Sequence, residues 1–169
     1  MEFKEAVKTA LENEKKGRQM YLEFVENAQN NVTKKTFEYL AGEELRHIEK
    51  IKEIAGTLGS DDIKVPDLGE ASLDDMKRIF GVAVKEFDSQ IEPNSDDIEA
   101  HKMAMDFEKK SSEYYRKLAE ETADENMKLF FNALTDEEDK HYELIEKAYY
   151  FISNPEGFYS EEEGWLLEG

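Results

Sequence analysis

From Glu2 to Ala28, apolar side chains recur every three or four positions, at Phe3, Val7, Ala10, Leu11, Tyr21, Phe24, Val25 and Ala28. That recurrence predicts an amphipathic helix. A polar break, "QNNV", leads into a second run with Phe37, Leu40, Ala41, Ile48, Ile51, Ile54, Ala55 and Leu58, closed by Gly59 where a helix C-terminus is favoured. So short a connection predicts antiparallel neighbours. The pattern then changes. "SDDIKVPDLGEA" reads as a loop, and a shorter helix is expected over about residues 73–90, with Ser72 and Asp75 in capping-box spacing. "EPNSDD" supplies a breaker and an N-cap at Ser95 for a long helix to about Glu121, with Ala104, Met105, Tyr115, Leu118 and Ala119 on its apolar side. A fourth helix is predicted from about Asp124 to Ile152, ending before Asn154 and Pro155. The tail that follows carries Phe158, Tyr159, Trp165, Leu166 and Leu167, and is expected to dock on the bundle or on a second subunit.

Sliding the chain by 94 residues lays Ala6–Ile51 on Ala100–Ile145 without a gap, with 16 identities in 46 positions. Among them are Glu14/Glu108, Tyr21/Tyr115, Phe37/Phe131, Leu40/Leu134, Glu43/Glu137, Glu44/Glu138 and His47/His141. Two copies of one helical hairpin are therefore expected, related by a pseudo-twofold axis. The predicted fold is an all-α four-helix bundle forming a single domain over residues 1–169. Its parts are a first hairpin (1–58), a long crossover containing a short helix (59–94), a second hairpin (95–152) and a tail (153–169).

Composition narrows the function. The net charge of −19 repels nucleic-acid phosphates and anionic lipid surfaces, so neither is expected as a partner. No apolar run is long enough for a membrane span, and the N-terminus mixes both charge signs, which predicts a cytoplasmic protein. The chain has no cysteine, which excludes thiol catalysis, zinc–thiolate and iron–sulfur ligation, and any rubredoxin-type module within it. A metal would have to be held by Glu, Asp and His.

Residues three apart on a helix share a face, so Glu44 with His47, and Glu138 with His141, project together, and they do so from the apolar side. Glu14 and Glu108 likewise interrupt the apolar stripes of the first and third helices. Most glutamates in a chain with 41 acidic residues lie on solvated faces, but that placement does not explain why these stripe-breaking acids recur at one fixed offset. Burying four uncompensated carboxylates costs several kcal/mol each, against a total stability of roughly 5–15 kcal/mol. Two divalent cations would neutralise them, with the imidazoles as further ligands. Oxygen and imidazole donors without thiolate suit iron or manganese, and zinc less specifically.

A Glu from each of two helices plus Glu-x-x-His from each of the other two is the arrangement of four-helix dimetal carboxylate proteins, a general example of the bundle rules. With that set, and with the paired motifs "ENEKKGRQMY" and "DFEKKSSEYY", the chain resembles a rubrerythrin of the ferritin-like superfamily. The resemblance implies two iron ions bridged by Glu44 and Glu138, bound terminally by Glu14 and Glu108, and ligated by His47 and His141. It also implies a non-haem oxidoreductase that reduces hydrogen peroxide or dioxygen under oxidative stress, supplied with electrons by a rubredoxin-like or other donor, in a homodimer. Two departures stand out. Rubrerythrins typically carry one more Glu a turn after the third-helix ligand, where this chain has Ser111, and they carry the rubredoxin domain that a cysteine-free chain cannot form. A ferroxidase of the ferritin kind, or a structural module in which metal only closes the fold, are the alternative readings. Tyr21 and Tyr115 are expected either as hydrogen-bonded core tyrosines or as partners of the metal carboxylates. Glu43 and Glu137 are expected on solvated flanks in ion pairs rather than as outer or alternate ligands, and His101 as a core or rim residue.

Overall fold

The computed structural model describes residues 1–57, 68, 77–79, 94–155 and 157–158. Four long helices dominate it: α1 (Phe3–Asn27), α2 (Asn31–Thr57), α3 (Ser95–Glu121) and α4 (Glu125–Ser153). α1 packs along α2, and α3 along α4, as the two predicted hairpins. Cross-contacts fix the remaining directions. Gly17 meets Phe107 while Asn13 meets Ser111, and Glu44 meets His141 while His47 meets Glu137, so α1 runs antiparallel to α3 and α2 antiparallel to α4. α2 and α3 are therefore parallel, which obliges the chain between them to traverse the bundle. Lys77–Ile79 are helical within the predicted crossover helix; its other positions lie outside the described residues. Among the described residues no helix is long and apolar enough to cross a membrane.

Helix starts follow their caps. The α3 cap is Asn94, one residue before the expected Ser95. Its extended backbone (φ −93°, ψ 125°) lets the carboxamide oxygen accept from the Asp96 and Asp97 amides, which leaves Ser95 as the first helical residue. Asp124 caps α4 in the same way, through the Asn126 and Met127 amides. Asp97 has a second role. Though 2% exposed, its carboxylate accepts from the Gln29 and Asn30 amides and from the Asn30 side chain, clamping the α1–α2 turn to the first turn of α3.

The apolar interior is divided in two, and the repeat shows in the division. One cluster holds Tyr21, Phe37, Leu40, Ala104 and Ile145; the other holds their counterparts Tyr115, Phe131, Leu134, Ala10 and Ile51. Each hairpin therefore contributes to both clusters, as a twofold axis between them requires. His101 belongs to the first. It is fully buried against Phe37, and its Nδ1–H donates to the Asp97 carbonyl at 2.7 Å. Phe158 is buried edge-on to Phe151 with ring centroids 5.0 Å apart, so the start of the tail docks on its own bundle. Tyr159, Trp165, Leu166 and Leu167 lie outside the described residues.

Asp97→Ala leaves the amides of exposed Gln29 and half-buried Asn30 without their acceptor. It is expected to lower the unfolding free energy by about 2 kcal/mol in urea titration, without changing the amount of metal bound.

Candidate metal centre

Between the two apolar clusters lies a polar belt. Glu14, Glu44, Glu108 and Glu138 are at most 1% exposed, and His47 and His141 are fully buried. One acid comes from each helix and one imidazole from each of α2 and α4, because each is the stripe-breaking position of its helix. The six residues predicted from the repeat are thus brought together. His47 Nδ1 lies 2.9 Å from Glu14 Oε2, and His141 Nδ1 lies 3.5 Å from Glu108 Oε1. The two imidazoles stack at 5.3 Å, tilted by 14°.

Glu44 and Glu138 are shared between the halves. Glu44 turns Oε2 toward His47 (3.8 Å) and Oε1 toward His141 (3.7 Å), while Glu138 Oε1 is 3.9 Å and 4.0 Å from the two Nδ1 atoms. Glu14, Glu44, His47 and Glu138 each bring one ligand atom within 4.8 Å of the others, and so do Glu44, Glu108, Glu138 and His141. The 94-residue offset maps one quartet onto the other. The donors fit hard or borderline cations. Both oxygens of Glu44 and of Glu138, Oε2 of Glu108 and both nitrogens of His141 are buried without a hydrogen-bond partner. Buried polar atoms are rarely left so, and here seven of them converge.

Charge explains why a cation belongs there. Burial, then repulsion from Glu14, pushes Glu44 up to about 8, and burial with the charges of Glu108, Glu14 and Glu44 pushes Glu138 well above the usual carboxylate range. Burial also opposes ionisation of Glu14, but the hydrogen bond and charge of His47 outweigh it and hold Glu14 at about 2. Burial disfavours the imidazolium form of both histidines. His47 is nonetheless raised well above its usual value by the hydrogen bonds it donates to Glu137, Glu14 and Glu44, and His141 is raised to about 10 by Glu108 and Glu44. Protons thus do in the metal-free protein what divalent ions would do when bound.

Tyr21 and Tyr115 are fully buried core residues, and each hydroxyl donates to a carboxylate of the site across the bundle: Tyr21 to Glu108, Tyr115 to Glu14 at 2.6 Å. Burial and the adjacent acids raise both phenols well above their usual value, so they remain donors. Beyond them the twofold symmetry breaks. Asn13 donates to the Tyr115 hydroxyl and to Ser111, both at 3.0 Å, whereas its repeat counterpart Phe107 stands edge-on to Tyr21. Phe107 sits there because Gly17 lacks a Cβ, which would lie 2.9 Å from the phenyl ring and 3.3 Å from Glu44 Oε1.

Glu137 is not the solvated flank residue expected. It is 2% exposed, its Oε2 lies 3.2 Å from His47 Nε2, and Arg46 reaches it at 2.9 Å. Arg46 also pairs with Glu43, which is only half-buried. Asn13, Arg46 and Gly17 were absent from the sequence-based candidates. The one signal for them was that each sits where the two repeats differ.

The proton-for-metal exchange sets a pH dependence. Glu44 titrates at about 8 against an ordinary 4.5, so as pH rises between these values the folded metal-free protein must either hold a proton or bear a buried charge, and it loses stability. The charged form of His141 contributes stability fully below 6.5, and that contribution is lost as pH climbs through about 10. Both effects have the same sign. The melting temperature of metal-free protein is expected to fall from about pH 5 to about pH 9, while the increment added by metal grows, because binding must displace protons held by the site, those of Glu44 and His141 among them. Differential scanning calorimetry with and without metal checks the sign, and calorimetric titration in buffers of different ionisation enthalpy counts the protons.

A protein-family model described as Rubrerythrin matches residues 5–149. No curated protein and no solved structure matches the chain.

Proposed function

The chain belongs to the rubrerythrin family, and from that premise we propose that it is a non-haem di-iron oxidoreductase that reduces hydrogen peroxide or dioxygen. The observation that carries this reading is the pair of symmetry-related quartets sharing Glu44 and Glu138, in which Glu44, Glu108, Glu138 and His141 all hold buried atoms without a hydrogen-bond partner. Glu14 and Glu108 would each hold one ion terminally, His47 and His141 would each ligate one, and Glu44 and Glu138 would span both. Manganese or zinc fits the same donors less well for redox work. Two ferrous ions, when bound, supply one electron each for the reduction of hydrogen peroxide and two protons to two water molecules.

The chain's own residues orient and enclose this chemistry. Tyr21 and Tyr115 hold Glu108 and Glu14 by their hydroxyls, fixing which carboxylate oxygen is left for an ion. The phenylalanines and leucines of the two apolar clusters flank the belt along the bundle and keep bulk water from its ends. Ser111, where the resemblance leads one to expect a further glutamate, accepts from Asn13 and adds no carboxylate, which favours ions that stay in place during turnover. With no cysteine in the chain, electrons would come from a separate rubredoxin-like protein or a small reductant. A homodimer and a cytoplasmic location complete the proposal.

Anaerobic ferrous-loaded protein mixed separately with peroxide and with dioxygen tests the reaction. Oxidation of both irons by one equivalent of peroxide, with iron retained and re-reduced by added reductant, is expected. Ferric iron that leaves the site and accumulates as mineral would instead establish a ferroxidase, and metal that never changes redox state a structural centre. Because Glu138 serves both quartets, Glu138→Gln is expected to reduce bound metal from about two per chain to less than one, read by elemental analysis. The metal-free variant should melt close to wild type, since burial and the neighbouring acids already disfavour the charged form of the residue it replaces.

A further inference from the structure

Granting the dimetal reading, the geometry points to Glu137 and Arg46 as positioning residues that make the two ion sites unequal, the site of His47 being the tighter. The repeat supplies both histidines with the same outer neighbour: Glu43, Glu137, His47 and His141 each bring one ligand atom within 4.8 Å of the others, on the far side of the imidazoles from the shared carboxylates. Only one of the two possible hydrogen bonds forms. Glu137 accepts from His47 Nε2 at 3.2 Å, which places the proton on Nε2 and leaves Nδ1, the atom facing Glu14, Glu44 and Glu138, to donate its lone pair to an ion. His141 has no such partner, and both its ring nitrogens are buried without a hydrogen bond.

Position 46 makes the difference. Arg46 Nη2 pairs with Glu43 and reaches Glu137 Oε2 at 2.9 Å, so one nitrogen links a carboxylate of α2 to one of α4. The counterpart of Arg46 in the second repeat is Lys140, whose Nζ meets one oxygen of Glu137 at 3.5 Å. That contact lies within α4, whereas the contact of Arg46 with Glu137 crosses from α2 to α4. His47 is therefore fixed in ring angle before an ion arrives, and in tautomer once the ion displaces its Nδ1 proton, whereas His141 must be ordered by the ion itself. The outer quartet is not read as a third metal site, because the Arg46 charge already lies between its carboxylates and the same two rings serve the inner ions.

Anaerobic titration of the full chain with Co(II), followed by its visible absorption and by the hyperfine-shifted imidazole N–H resonances, tests this. Wild type should bind two equivalents in steps separated by about tenfold or more, the first giving a slowly exchanging N–H signal from His47. Glu137→Ala should weaken the first step about 10- to 100-fold, abolish that slow signal and leave the second step unchanged. Glu137→Gln keeps an acceptor oxygen and should restore the signal with a smaller loss, while Glu43→Ala should move neither step. Arg46→Ala should narrow the gap by freeing Glu43 for His141. Equal weakening of both steps in Glu137→Ala, or an equal loss in Glu43→Ala, overturns the inference, as does a third Co(II) equivalent that disappears with Glu137. Wild type that binds fewer than two equivalents refutes the dimetal reading itself, a failure distinct from two equal steps, which refutes only the asymmetry.

Discussion

Mutual repulsion among four carboxylates in a water-poor interior is the constraint to which the rest of the bundle answers. At these separations the repulsion would exceed what a small domain can sustain, and the chain meets it with a compact set of counter-charges: two imidazoles within 4 Å of the acids, two phenol donors, and room for cations. The apolar clusters on either side serve the same end. They raise the energy of any charge left unmatched, and so raise the binding energy available to an ion that matches it.

Twofold repetition solves a second problem, that of placing two ions alike. One hairpin cannot surround an ion pair, but two copies antiparallel across an axis put each glutamate of α1 opposite a tyrosine of α3 and the reverse. Asp97 gives this pairing its register by fastening the turn of one hairpin to the start of the other. Ligand, orienting hydroxyl and supporting aromatic ring thus arrive in both halves from one stretch of sequence used twice.

The repeat also explains what was legible in the sequence. The four helices followed from apolar periodicity, and the six converging residues from polar letters that broke it at a constant offset. Glu137 was misplaced because Glu43 and Glu137 are the same letter in the same repeat slot; only the contacts that Arg46 and His47 of α2 make with Glu137 across the bundle distinguish them. The start of α3 shifted by one residue because Asn94 and Ser95 are both good caps, and only backbone geometry decides between them. Asn13 and Gly17 escaped notice for a related reason. Attention to where the halves agree is blind to positions whose importance lies in disagreement.

Those disagreements line the seam of α1 and α3. On one flank Asn13, Ser111 and the Tyr115 hydroxyl form a hydrogen-bonded chain; on the other, Phe107 fills the notch at Gly17 and reaches the edge of Tyr21. The carboxylates between them are copies related by the pseudo-twofold axis, yet their surroundings are not. A duplicated chain begins with two interchangeable faces, and substitutions at only two pairs of positions suffice to give it a wet side and an oily side. Each glutamate of the pair is thus held by an equivalent phenol, but only one of those phenols is itself held by a neighbour's hydrogen bond.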